Sequence, residues 1–96
     1  MKINVRAATT EIKIVEADVF QFRRHWFALH RTTVFDGNWF VCTDFKTGRR
    51  IETGHNRPAA KRNALIKLRA RWPEYLEISA ELPRINRMKS KRRRVP

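Results

Sequence analysis

Four side chains in this sequence could ligate a soft or borderline metal ion: His25, His30, Cys42 and His55. Zinc modules draw their ligands as close pairs, since one short turn must present both to the same ion. None of the spacings here fits. His25 and His30 are five apart in a stretch that reads as a strand, and an odd separation sends them to opposite faces. A nuclease centre would need clustered carboxylates around a divalent cation. Glu11-Ile-Lys13 mimics one fragment of such a centre, but no Asp precedes it. The glycines, Gly37, Gly48 and Gly54, are isolated, so no loop cradles a phosphate. Cys42 has no candidate base fixed beside it and reads as a small buried hydrophobe. The expectation is a binding protein rather than an enzyme, with no cofactor and no metal.

Charge says more about what could be bound. Lys and Arg number 22 against 9 Asp and Glu, a net +13 on 96 residues. Residues 84 to 96 hold seven of the cations and no acid: Arg84, Arg87, Lys89, Lys91, Arg92, Arg93 and Arg94. That leaves +6 on residues 1 to 83. Such a balance steers a chain toward polyanions without naming which one. The basic run is the first candidate for contact with a partner, because each phosphate or carboxylate it neutralises adds a salt-sensitive contribution. A cluster on a later helix, Lys61, Arg62 and Arg69, is the second.

The elements that position these residues follow from period and turn chemistry. Ile3 and Val5, then Ile12, Ile14 and Val15, alternate with polar neighbours as half-covered strands do. Residues 7 to 16 could also start a helix. His25 to Val34 and Trp39 to Phe45 are rich in aromatic and β-branched residues, and Asp36-Gly37 between them supplies the positive-φ pair of a tight hairpin. Lys46-Thr47-Gly48 marks a second turn before a strand at Arg49–Thr53. Asn56 is placed to cap a helix with Pro58 in its first turn, and Ala60, Ala64, Leu65, Leu68 and Trp72 form its sheet-facing arc. Trp72-Pro73 closes that helix and opens a second, whose apolar side is Tyr75, Leu76, Ile78, Ala80 and Leu82. Pro83 ends it. The predicted class is α+β: one domain over residues 1–83, a small antiparallel β-meander followed by two C-terminal helices, then a flexible basic tail over 84–96.

At this length the chain buries roughly 65% of its unfolded surface, enough for a single core without crosslinks. One cysteine cannot close an internal disulfide, the first ten residues lack a 7–15-residue apolar run, and no stretch approaches the roughly 20 apolar residues of a membrane span. A cytoplasmic protein without membrane contact is expected. The aromatics Trp26, Phe27, Trp39, Phe40 and Phe45 suggest core packing before a base-stacking platform. Trp26 and Trp39 are assigned to the helix side, with Phe27 and Phe40 on the opposite face. There they meet the N-terminal strands or remain open to a protein partner.

Two resemblances bear on these readings. Residues 39 to 54, followed by Asn56-Arg-Pro-Ala-Ala-Lys-Arg-Asn-Ala-Leu-Ile-Lys-Leu68, resemble the second half of a double-stranded RNA-binding domain. That family begins with a helix, whereas residues 1 to 22 here read as strands. The implied alternative is a small basic nucleic-acid-binding protein that contacts phosphate and 2′-OH groups. Over the whole chain, Met1-Lys-Ile-Asn-Val5, Arg23-Arg-His-Trp-Phe27, Arg69-Ala-Arg-Trp-Pro73 and the basic end resemble the small anti-RecBCD proteins of lambdoid phages, of the Salmonella phage type. This resemblance implies a protein that acts in the host bacterial cytoplasm by binding the RecBCD helicase-nuclease. Contact would be with the RecC subunit, shifting DNA-end processing toward phage recombination and touching DNA only indirectly. It also implies a host cyclophilin-type prolyl isomerase as partner. Trp72-Pro73 is the preferred contact, since X–Pro bonds alone have an accessible cis form.

Overall fold

A computed structural model of the chain describes residues 1–7 and 11–87. Its order is β1 (Lys2–Arg6), β2 (Ile12–Glu16), β3 (Asp18–Phe22), β4 (His25–Arg31), β5 (Phe40–Asp44), β6 (Arg50–Gly54), α1 (Arg57–Ala70) and α2 (Trp72–Glu81). The strands β3-β4-β5-β6 form an antiparallel meander, and β1 and β2 pair as a separate hairpin. The α+β class, with antiparallel strands before two C-terminal helices, is the one the sequence predicts.

The meander is one strand longer than expected, and its sharpest turn is elsewhere. Phe22 pairs with His25 across β3 and β4, so only Arg23 and Arg24 connect the two strands. Both lie in the left-handed region, at φ 51° and 70°. This is the twist that two-residue hairpins require and that Asn-Gly normally supplies. The Asp36-Gly37 turn is wider. β4 ends at Arg31 and β5 begins at Phe40, and Gly37 N–H closes the turn by donating to the Val34 carbonyl at 3.0 Å. Asp36 takes the positive φ, 66°, while Gly37 is needed for closeness: a Cβ there would lie 2.4 Å from Thr32 Cγ2.

Each face of the meander carries its own cover. On one face Phe27, Leu29, Cys42 and Ile51 pack against Ala60, Ala64 and Leu68 of α1 and Tyr75 of α2. On the other, Ala28 and Phe45 meet Ile3 and Val5 of β1 and Ala17, with Trp26 packed on the edge. Fully burying a Phe, Leu or Ile side chain contributes about 2 kcal/mol, so both layers are needed to hold so short a chain. The expected sidedness is therefore inverted: Phe27 and Phe40 face the helices, and Trp26 faces the N-terminal hairpin. Alternation fixes which residues share a face, but β4 is covered on both sides, and its pattern cannot say which cover is which.

Local signals start the helices as expected, but α1 ends at Ala70, so Trp72, assigned to its sheet-facing arc, instead opens α2. Asn56 Oδ1 accepts from Ala59 N–H at 2.8 Å, and Pro58 occupies the first turn. α1 lies close on β6 because Gly54 has no side chain; a Cβ there would come within 2.3 Å of the Ala60 nitrogen. In α2, Tyr75 and Ser79 are buried, whereas Leu76 and Ala80, assigned to its apolar side, are exposed. Leu82, ahead of Pro83, is extended at φ −84° and ψ 146°, which ends the helix.

The expected boundary at residue 83 falls too early. Asn86 is buried, donates to the carbonyls of Asn4 at 2.7 Å and Phe45 at 2.8 Å, and accepts from Asn4 N–H at 2.9 Å. Ile85 N–H donates to the Lys46 carbonyl at 2.8 Å. The segment 84–87 thus pins β1 to the β5–β6 turn.

Candidate functional site

β3 is the edge strand of the meander, and its residues Asp18, Phe20 and Phe22 share the face that α1 covers, within reach of the longest side chains of α1. From α1, Arg57 reaches Asp18 at 3.0 Å and stands over the Phe40 ring, 4.8 Å from its centroid. Lys61 Nζ lies 4.7 Å over Phe20, and Arg69 lies 5.6 Å over Phe22. Arg23 folds back from the β3–β4 turn, 5.1 Å over both Phe22 and Trp72. The result is a seam of half-buried rings roofed by exposed cations. Each cation–ring pair at such exposure stabilises by about 0.5–1 kcal/mol.

Of the helix cluster expected from sequence, Lys61 and Arg69 therefore join one surface. Arg62 makes no comparable ring contact among the described residues. Trp72 also belongs to the seam, against Phe22, His25 and Tyr75, while Pro73 is exposed at the start of α2. Arg84 and Arg87 are exposed on the anchored segment. Lys89, Lys91, Arg92, Arg93 and Arg94 lie outside the described residues. Sequence reasoning missed Arg57 and assigned no turn to Arg23 and Arg24. A signal for the latter was present, since Phe20-Gln-Phe22 alternates as an edge strand does.

A second surface lies on the loop between β4 and β5. The β4–β5 tip exposes Val34, Phe35 and Trp39, with Phe35 89% accessible. Thr32 N–H donates to the Trp39 carbonyl at 3.0 Å, and Thr32 Oγ1 accepts from Val34 N–H at 3.2 Å, so the tip is ordered from within. A groove of about 610 Å³ runs from its base, bordered by Thr32, Val34, Trp39, Val41, Thr43 and Arg50.

The buried polar groups read as structural. No group of three or more His, Cys, Asp or Glu placed to hold a metal ion occurs among the described residues. Burial, aided by Asp44, pushes the Cys42 thiol up to about 12, which leaves it un-ionised. Burial and then the Asp44 hydrogen bond raise the Tyr75 phenol, so it donates to Asp44 as a neutral hydroxyl. His30 is held between the Arg31 carbonyl at Nδ1 and the Thr43 hydroxyl at Nε2, each 2.7 Å away. The carbonyl requires a proton on Nδ1, so the neutral ring accepts from Thr43.

Burial lowers the His30 pKa below its ordinary 6.5. The unfolded ring then binds a proton at a higher pH than the folded ring, so the stabilisation is complete above about pH 6.5 and falls as pH drops through that value. The limiting slope is about 1.4 kcal/mol per pH unit. Urea unfolding at pH 7 and pH 5 should show this loss, and His30→Gln should flatten it. An unchanged pH dependence in that variant would acquit His30.

No helix is long and apolar enough to cross a membrane among the described residues. No family model, curated protein or solved structure matches this chain.

Proposed function

We propose that this chain works by contact, as a phage-encoded protein that binds the RecBCD helicase-nuclease through RecC in the host cytoplasm and redirects DNA-end processing toward phage recombination. Support comes from the likeness of its word-like stretches, length and basic balance to the anti-RecBCD proteins. The observation that carries the contact itself is the β4–β5 tip. Phe35 stands almost fully exposed on a turn ordered by its own hydrogen bonds. An aromatic ring held out this way loses little conformational entropy when a partner's pocket receives it, and interface energy concentrates in such anchors. The net charge of +13 steers the approach to an acidic surface, which also makes mimicry of DNA untenable. A prolyl isomerase of the cyclophilin class is proposed as a second partner at Trp72-Pro73. Its contact would be with the exposed Pro73, since the Trp72 ring is packed.

The test is retention from a bacterial lysate treated with nuclease, using the full chain on beads. RecBCD should be retained, and Phe35→Ser should cut that retention by more than tenfold without moving the melting temperature, because the lost ring touches little of the fold. Capture of nucleic acid alone, vanishing as salt rises, would overturn the assignment.

A further inference from the structure

We propose that the seam between β3 and α1 is a separate binding site, which takes the phosphodiester backbone of a nucleic acid without regard to base sequence. Its cations are arranged in a row. Arg57 stands at Asp18, Lys61 at Phe20, and Arg69 at Phe22 with Arg23 beside it, so the order of the cations along α1 follows the order of the residues along β3. The row covers about 13 Å measured along the strand and about 18 Å along the helix. Only Asp18 neutralises any of it. The ion pairs among the described residues are Met1–Glu16, Arg57–Asp18 and Arg71–Glu74, and Arg23, Lys61 and Arg69 have none.

Two further features make this a site rather than scattered surface charge. Arg23 and Arg69 share the Phe22 ring, which holds two like charges close together without a counter-ion between them. Arg23 also occupies a left-handed turn position that Asn or Gly would adopt at lower cost. Stacking over a ring uses the face of a guanidinium and leaves its N–H edges free for an anion.

The same arrangement selects nucleic acid over an acidic protein segment. Protein interfaces keep charge to the rim and present apolar anchors at the centre. Here every ring lies beneath a cation, whereas the exposed apolar anchor, Phe35, stands on the β4–β5 loop beyond the Arg57 end of the row, with no cation over its ring among the described residues. A row of unneutralised cations with no uncovered ring suits a repeating anion. With the ring faces occupied, bases have nothing to stack on, so binding should depend on phosphate and salt alone.

The experiment is fluorescence anisotropy of a labelled 20-base-pair DNA duplex titrated with the full chain over a range of salt. No RecBCD is present, so the outcome is independent of the proposed function. The triple variant Arg23→Gln, Lys61→Gln, Arg69→Gln should bind more than tenfold more weakly near 0.1 M salt, and the slope of log affinity against log salt should flatten by roughly 2.7. Two duplexes of different sequence should give the same result. The charge-conserving triple Arg23→Lys, Lys61→Arg, Arg69→Lys should stay within about threefold of the parent, since it keeps every phosphate contact. Equal affinity and slope for parent and Gln triple would overturn the site, leaving DNA binding to the basic end. So would a conservative triple as weak as the Gln triple, because packing rather than charge would then have moved the affinity. Loss of poly-glutamate binding with DNA binding retained would reassign the seam to acidic protein, and overturn it as well.

Discussion

Replacing Asp44 with Ala should cost about 3–5 kcal/mol, a large part of the stability of a domain this small. The carboxylate is buried at the end of β5 and has three donors around it. Tyr75 Oη–H reaches one oxygen at 2.5 Å, and Thr47 Oγ1–H and N–H reach the other at 2.6 and 3.1 Å. Through them one side chain shapes the β5–β6 turn and ties α2 to the sheet. Alanine would strand all three donors in the core, where each unmet group costs about 1–3 kcal/mol. Asp44→Asn should be far milder. The amide oxygen can keep the two Thr47 donors, and the Tyr75 hydroxyl can turn to accept from the amide nitrogen. Urea denaturation of the two variants measures the gap. If Ala and Asn lose the same amount, the stabilisation lies in charge rather than in the three bonds. If neither loses more than about 1 kcal/mol, the knot is not holding α2.

Asp44 also marks the limit of what the sequence makes legible. The elements themselves were readable because their signals are local: Asn56 and Pro58 start α1, Pro73 starts α2, and Gly48, at φ 73°, sits in the turn that Lys46-Thr47-Gly48 marks. Asp44 meets Tyr75 across 31 positions, and no periodicity encodes that meeting. The inverted faces of β4 have a similar origin. A strand covered on both sides shows a continuous apolar run, and the decision between covers belongs to the helices and the N-terminal hairpin rather than to the strand.

The candidate surfaces divide in the same way. Lys61 and Arg69 could be named from composition, yet nothing in their spacing places Phe20 and Phe22 beneath them, because the rings come from a strand some forty residues earlier. Arg23-Arg24 carries no turn signal of its own, and Asp36-Gly37 offers the better tight-turn pair. The strand register put the tight hairpin at the worse one. That exchange, intrinsic turn preference given up for two arginines, is what draws attention to the seam.

Ending the chain after residue 83 should destabilise it by about 3 kcal/mol, whereas ending it after residue 87 should not. The difference is Asn86. Its side chain gives two hydrogen bonds, to the carbonyls of Asn4 and Phe45, and receives one from Asn4 N–H, all between 2.7 and 2.9 Å. Ile85 adds a bond to Lys46 and lies where a Cβ on Gly48 would strike it, 2.4 Å from its Cδ1. Composition alone puts the cut at 83, since Arg84 opens the basic run and few apolar residues follow. Burial and hydrogen bonding of the affected backbone are the better guide to a tolerated truncation, and they put it after 87. Asn86→Ala in the full chain should reproduce most of the loss while leaving every charge in place, which separates anchoring from electrostatics. Thermal melting of the three proteins is sufficient. If the chain ending at 83 melts with the parent, the segment 84–87 is not an anchor. If it melts lower together with Asn86→Ala, any fall in partner binding on removing residues 84 to 96 confounds lost charge with a loosened β1, and the contribution of the basic end must be measured from the cut after 87.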